Sequence, residues 1–218
     1  MIVSFEQMLE KAKHGEPMVL AGAAAQDADT IKAMAAAEKA GMIRPVLVGD
    51  LSVIRRVMQE ENITFCSARL VQAADMAEAC DKAVELVRRG EADFLMKGLV
   101  DTNIFLKAIL NKETGLPVHG LLSHVMTFDT KGAYHKLMIT SDGGMVLYPT
   151  LEQKIDIIKN CLPVAKALEI EEPKVAVLCA KEKVNPKMPA TVDAAELKKL
   201  GEAGEFGANV LVEGPIAM

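Results

Sequence analysis

Strand-length apolar runs recur along this 218-residue chain, and nearly all stop at the same punctuation: small residues mixed with Lys, Asp, Ser or Asn. Phe94-Leu95-Met96 meets Lys97-Gly98. Leu137-Met138-Ile139 meets Thr140-Ser141-Asp142-Gly143-Gly144. Val175-Ala176-Val177-Leu178 meets the long loop that begins at Cys179, and Val210-Leu211-Val212 meets Glu213-Gly214-Pro215. A helical pattern follows most of these runs. Parallel neighbours in a sheet need crossover connections of that kind, so the pattern predicts an α/β fold with a largely parallel sheet. Ligands of such sheets bind outside the carboxyl ends of the strands, which makes these loops the place to look for function.

Half the residues are hydrophobic and a quarter charged, enough to build a sizeable core. The net charge of −5 and the absence of Trp argue against nucleic acid, which calls for a basic surface and stacking platforms. Glu6, Glu10, Lys11 and Lys13 break any secretory pattern at the start, and no apolar stretch is long enough to cross a bilayer. Cys66, Cys80, Cys161 and Cys179 form no CxxC pair, and the four His show no metal spacing. The expectation is a cytoplasmic protein with reduced thiols, with no membrane, nucleic-acid or metal partner, in which Cys80 and Cys161 are structural and buried.

Capping signals mark the helices. Ser4 with Gln7, Asp75 with Glu78, Thr150 with Gln153 and Asp193 with Glu196 read as capping boxes, and Gly41 reads as a stop. Strands are predicted at 18–23, 45–48, 68–73, 92–96, 121–128, 136–140, 174–179 and 209–212. The texture changes at 114–134, which carries Gly, Pro, His and Ser. A domain junction is placed there, giving a first α/β domain over 1–120 and a second over 121–218.

Five segments could bear a site. Lys97-Gly98 ends a strand just before a helix start near Thr102. An ammonium beside helix amides suits a phosphate, and a solvated strand-end Lys is the plainer reading. The link at 22–27 is neither GxGxxG nor GxxxxGK[ST], and is as readily a tight connection as a binding loop. In the 140–144 turn, Gly143 and Gly144 could expose backbone donors, while Asp142 either orients a reacting group or caps the turn. Ser123-His124 lies inside an apolar run. Adjacent strand residues face opposite ways, so the pair is no triad and reads most simply as hydrogen-bonded core or hinge. Lys181, Lys183 and Lys187 sit in a Pro-stiffened loop of an acidic protein, either a polyanion patch or a solvated face.

The stretch Lys183-Val184-Asn185-Pro186-Lys187-Met188-Pro189-Ala190-Thr191-Val192-Asp193-Ala194 resembles the corresponding part of phosphate butyryltransferases and phosphate acetyltransferases. So do Met96-Lys97-Gly98 with Thr102, Leu122-Ser123-His124-Val125, the 139–144 run followed by Pro149-Thr150-Leu151-Glu152, and Gly214-Pro215-Ile216-Ala217. The matches span the chain in order. The resemblance implies acyl transfer between coenzyme A and phosphate. It also implies two α/β domains around a cleft, similar to the isocitrate and isopropylmalate dehydrogenases, in a homodimer or higher homo-oligomer. Coenzyme A is then a substrate, acyl-CoA and phosphate are the partners, and no cofactor is called for. The butyryl branch fits better, through Ser123-His124 and the 185–193 segment. Met145-Val146-Leu147-Tyr148 departs from the family, in which an Asn commonly follows the paired Gly. The candidate site takes Asp142 and Ser123 as catalytic groups. Lys97, Gly98, Thr102, Gly143, Gly144, Lys183, Asn185 and Lys187 are its substrate contacts.

Arg occurs at 44, 55, 56, 69, 88 and 89 and nowhere later. Bidentate phosphate clamps favour Arg. The family implies a catalytic Ser-Arg pair in a C-terminal segment, and the chain stops at Met218 before one. The expectation is therefore a fragment with little activity of its own. A non-catalytic acyl-CoA or anion-binding module of the same fold is the alternative. A relative of the decarboxylating dehydrogenases is a weaker third, since no metal-binding set of carboxylates can be assembled.

Overall fold

The computed structural model describes residues 1–116, 120–130 and 132–217. The junction expected at 114–134 thus falls partly outside the described residues. The chain divides into two compact units, Leu9–Val118 and Met1–Met8 with His119–Met218.

After a first helix, α1 (Phe5–Lys13), the Leu9–Val118 unit alternates strand and helix: β1 (Met18–Ala23), α2 (Ala28–Lys39), β2 (Ile43–Gly49), α3 (Leu51–Glu60), β3 (Arg69–Gln72), α4 (Met76–Arg88), β4 (Phe94–Lys97) and α5 (Thr102–Ile109). The four strands pair in the order β3-β2-β1-β4, all parallel. Inner strands β1 and β2 are buried on both faces, which is why their sequences are continuous apolar runs. One face packs Ala21, Ala23, Val46 and Val48 against Ala79, Ala83 and Val84 of α4. The other packs Leu20 and Leu47 against Ile31, Met34 and Ile54 of α2 and α3. Asp27, Asp50 and Asp75 cap their helices by accepting backbone N–H groups in the first turn. The chain steps outward from β1 to β3, then crosses back to place β4 on the other side of β1. The loops after β1 and β4 therefore flank the point where strand order reverses.

The other unit holds β5 (Met126–Phe128), β6 (Met138–Thr140), α6 (Leu151–Ala167), β7 (Lys174–Leu178), α7 (Pro189–Glu202) and β8 (Leu211–Ile216). β7 and β8 are parallel, and the short β5–β6 pair is the antiparallel exception, among the described residues, to the largely parallel pairing expected. The strand expected over 121–128 shrinks to its last three residues, because side chains rather than a ladder hold 121–124. The strand expected to end at Val212 continues through Gly214-Pro215, whose peptide is cis. α6 begins with a full capping box of Thr150 and Gln153. Its Leu151, Ile155, Ile158 and Leu162 pack against Leu197, Phe206, Val210 and Val212. The capping box read at Asp193 does not form. α7 starts four residues earlier at Pro189, whose fixed φ suits the first helical turn. Asp193 instead pairs with Lys154 of α6 at 2.6 Å, both side chains about three-quarters buried (22% and 25% exposed). Ile2 donates its N–H to the Leu168 carbonyl and joins Leu137 and Leu168 in a second small core. Cys80 is fully buried, Cys161 only half-buried. Among the described residues, no helix is long and apolar enough to cross a membrane.

Candidate functional site

In the Leu9–Val118 unit, the site-bearing loop follows β4. The Gly98 N–H donates to the Ala23 carbonyl at 2.8 Å, joining the end of β4 to the end of β1. A Cβ on Gly98 would lie 2.3 Å from the Ala24 carbonyl oxygen and 2.9 Å from that of Ala23, so only glycine fits. Ala24 itself has φ +55°, an uncommon conformation for a residue with a Cβ. Asp27 ties the same two loops: one carboxylate oxygen caps Thr30, the other accepts the Leu99 N–H at 3.1 Å. Burial pushes the Asp27 carboxyl up, and the hydrogen bonds from Thr30 and Leu99 more than offset this, leaving it below the usual aspartate value.

Lys97 bends its ammonium into its own loop. Nζ donates to the Val100 carbonyl at 2.8 Å and lies 3.4 Å from that of Gly98. An ammonium carries three donors, so capacity remains for an anion. Thr102 is exposed at the start of α5, where Asp101 makes no side-chain cap. Lys97, Gly98 and Thr102 therefore share one loop at the strand-order switch point.

The second group is built by a carboxylate. Asp142 Oδ1 accepts the N–H groups of Gly144 (2.7 Å) and Met145 (2.8 Å), and Oδ2 accepts that of His124 (3.0 Å). Burial raises its pKa, but the N–H groups of His124, Met145, Gly144 and Val146 outweigh it and hold the carboxyl below the ordinary value. A carboxylate so engaged is a poor base and a strong organiser. Gly144, at φ +128°, gives its amide to Asp142. The Gly143 N–H has no acceptor among the described residues and stays available to a ligand. A Cβ on Gly143 would meet His124 Nδ1 at 2.7 Å, so the turn lies tight beneath that ring.

Ser123 joins this group through two partners that the sequence reading missed. Ser141 Oγ donates to the His124 carbonyl at 2.7 Å, and Asn160 Nδ2 donates to Ser123 Oγ at 2.8 Å. Asn160 sits mid-helix between Lys159 and Cys161, and no local signal marks it. Asp142 thus holds Gly144, Met145 and His124, with Ser123 beside His124 and Gly143 beneath its ring.

The third loop follows β7. Asn185 Oδ1 accepts the Lys187 N–H at 2.9 Å, and the Asn185 N–H donates to Thr191 Oγ1 at 2.9 Å. Thr191, fully buried, donates to the Met188 carbonyl and anchors the loop to the first turn of α7. Asn185 is thus engaged in shaping the loop. Lys183 and Lys187 are exposed and without ion-pair partners among the described residues. No hydrogen bond among the described residues joins this loop to the Asp142 cluster.

Glycine-shaped and amide-rich strand-end loops with nearby lysines suit phosphate and carbonyl oxygens, and the comparisons with known proteins point the same way. Residues 70–218 match the family model described as phosphate acetyl/butaryl transferase. A phosphate butyryltransferase of Clostridium acetobutylicum is 41% identical over all 218 residues, which cover 72% of its length. A phosphate acetyltransferase of Thermotoga maritima is 38% identical over 98% of this chain and 71% of its own. The crystal structure of a branched-chain phosphotransacylase from Enterococcus faecalis V583 superposes with a TM-score of 0.75 at 28% identity, covering 92% of this chain and 68% of that one. With the whole chain aligned to such relatives and the strand-end loops in place, the chain belongs to the phosphate acetyl/butyryl transferase family.

Proposed function

We propose that the protein moves an acyl group between coenzyme A and inorganic phosphate, with butyryl-CoA preferred to acetyl-CoA. The observation that carries the reading is the Asp142 turn. Its one carboxylate fixes the backbone of two segments, leaving the Gly143 N–H free on one and the Ser123 hydroxyl on the other. A phosphate oxygen attacks the thioester carbonyl carbon, the C–O bond forms, and the C–S bond breaks to release the CoA thiolate, which takes up a proton. The transient oxyanion needs donors, which Gly143 and Ser123 provide. The phosphate and the phosphates of CoA need cations, and Lys97, Lys183 and Lys187 serve there, with Gly98 and Thr102 shaping the Lys97 loop and Asn185 the lysine loop. Asp142 orients this machinery and takes no proton. The butyryl preference draws on the greater identity to a butyryltransferase and on the 185–193 segment. Two α/β domains, a cytoplasmic location and a homo-oligomer belong to the same proposal.

One observation favours a second reading, a module that binds acyl-CoA without turnover: no Arg follows Arg89. Phosphate would then meet only lysines in the 121–217 portion, and Lys replaces a bidentate Arg poorly. A coupled assay of CoA release from butyryl-CoA, with and without phosphate, separates the two. Phosphate-dependent release supports the transferase. Tight binding of butyryl-CoA without release supports the module.

A further inference from the structure

The segment 121–124 before β5 lies outside any strand, and side chains reach several of its polar groups from two sides. From the 141–142 side, Ser141 donates to the His124 carbonyl and Asp142 accepts the His124 N–H. From α6, Asn160 Nδ2 donates to the Leu121 carbonyl and to Ser123 Oγ, each at 2.8 Å. Chemistry fixes the orientation of this amide. The Leu121 carbonyl can only accept, so it must face the NH2 end of Asn160, and the same nitrogen then faces Ser123. One turn earlier on α6, the Asp156 carboxylate lies against Gly120, where a Cβ would be 3.3 Å from Oδ2. One face of α6 therefore serves as a rail for this segment, while Ile155, Ile158 and Leu162 face the core.

This geometry has a consequence for the hydroxyl. An amide nitrogen donates and cannot accept, so Asn160 fills a lone pair on Ser123 Oγ and turns the hydroxyl proton away from α6. That proton has no acceptor among the described residues, and Ser123 is half-buried. Resting on the acyl-CoA reading above, we propose that Asn160 is a positioning residue that commits the Ser123 hydroxyl to donate to the carbonyl oxygen of a bound acyl group. Ser123 is then a hydrogen-bond donor to the acyl group, neither nucleophile nor base. No covalent step passes through it.

The test is calorimetric binding of butyryl-CoA to the whole chain, for wild type, Ser123→Ala, Asn160→Asp, Asn160→Ala and the Ser123→Ala/Asn160→Asp double variant. Circular dichroism confirms that each is folded. Ser123→Ala should weaken binding about 5- to 10-fold, the scale of one lost neutral hydrogen bond. Asn160→Asp presents an acceptor that draws the Ser123 proton inward, so it should weaken binding by a similar factor. The double variant should be no weaker than Ser123→Ala, because both act on one hydroxyl. Acidification should restore affinity in Asn160→Asp, as the protonated carboxyl becomes a donor again, but not in Ser123→Ala. A purely structural Asn160 would show no such pH rescue. Asn160→Ala keeps the test open if the Asp variant misfolds, and its loss too should vanish in the Ser123→Ala background. Additive losses would overturn the proposal and leave the acyl-CoA reading standing. Wild-type affinity in Ser123→Ala would overturn it as well. Failure of the wild type to bind butyryl-CoA would sink the functional reading and the proposal together.

Discussion

The loop after β4 and the turn after β6 both close short strands with a Gly-containing sequence, yet they are held in place by different means. The β4 loop is fixed first by backbone, with Asp27 adding a side-chain tie through Leu99: Gly98 bonds to Ala23 across a four-stranded parallel sheet, and its Cα lies against the Ala24 carbonyl. The β6 turn has only a three-residue antiparallel pair behind it, and side chains fix it instead, with Asp142 and Ser141 bonding to His124, and Asn160 to Leu121 and Ser123 of the same preceding segment. Sheet-built loops fail when sterics change. Side-chain-built turns fail when a single acceptor or donor is lost.

The sharpest way to break the comparison is to place a side chain on each glycine. Gly98→Val drives carbon into backbone oxygen that cannot move away, and should cost about 3 kcal/mol or more, read as a lower denaturation midpoint. Gly143→Ala also meets a close approach, 2.7 Å against 2.3 Å at Gly98, but against the exposed His124 ring, which can swing aside. Its cost should stay within about 1 kcal/mol. Equal losses at the two sites would erase the distinction.

Asp142→Asn comes next. At an ordinary turn Asn caps as well as Asp. Here both carboxylate oxygens accept backbone N–H groups, and Asn must turn its NH2 toward one of them. A loss of about 1 kcal/mol is expected, the scale of one hydrogen bond lost where water can still reach the donor. The same carboxylate predicts a pH dependence. Its folded pKa lies below the usual value of 3.8, so its contribution is fully present above about pH 4 and disappears as pH falls through the folded value. Thermal melts of wild type and Asp142→Asn should converge on acidification. A gap that persists at low pH would contradict the clamp.

Lys97→Ala should act on ligand more than on fold. Affinity for CoA or phosphate should fall by about 1.5 kcal/mol, the low end for a charge-assisted bond, since part of the donor capacity is spent on Val100. Calorimetry that shows unchanged affinity would leave Lys97 as a brace for its own loop.

The same contrast explains what the sequence disclosed. Periodicity and caps mark Met18–Ala23 and α2 to α4 closely, because doubly buried parallel strands leave continuous apolar runs and each helix opens on Asp. The 121–128 run looked equally like a strand, but its first residues bond to side chains distant in sequence, which no local pattern encodes. Asp193 carried a capping spacing, and Pro189 four residues earlier took the helix start. Lys97 and Gly98 were legible as a loop at a strand end. Asn160 was not, because its partners lie at least 37 positions away.

The central claim is that the Asp142 turn serves an acyl transfer, and phosphate-dependent release of CoA from butyryl-CoA tests it most directly. The 218-residue protein should release CoA only when phosphate is present, and faster from butyryl-CoA than from acetyl-CoA. The rate should fall below the ordinary ~10 per second if phosphate meets lysines where a bidentate Arg would serve better. Asp142→Asn should abolish most of that release. Release that is indifferent to phosphate, or absent from folded protein that still binds butyryl-CoA, would contradict the account.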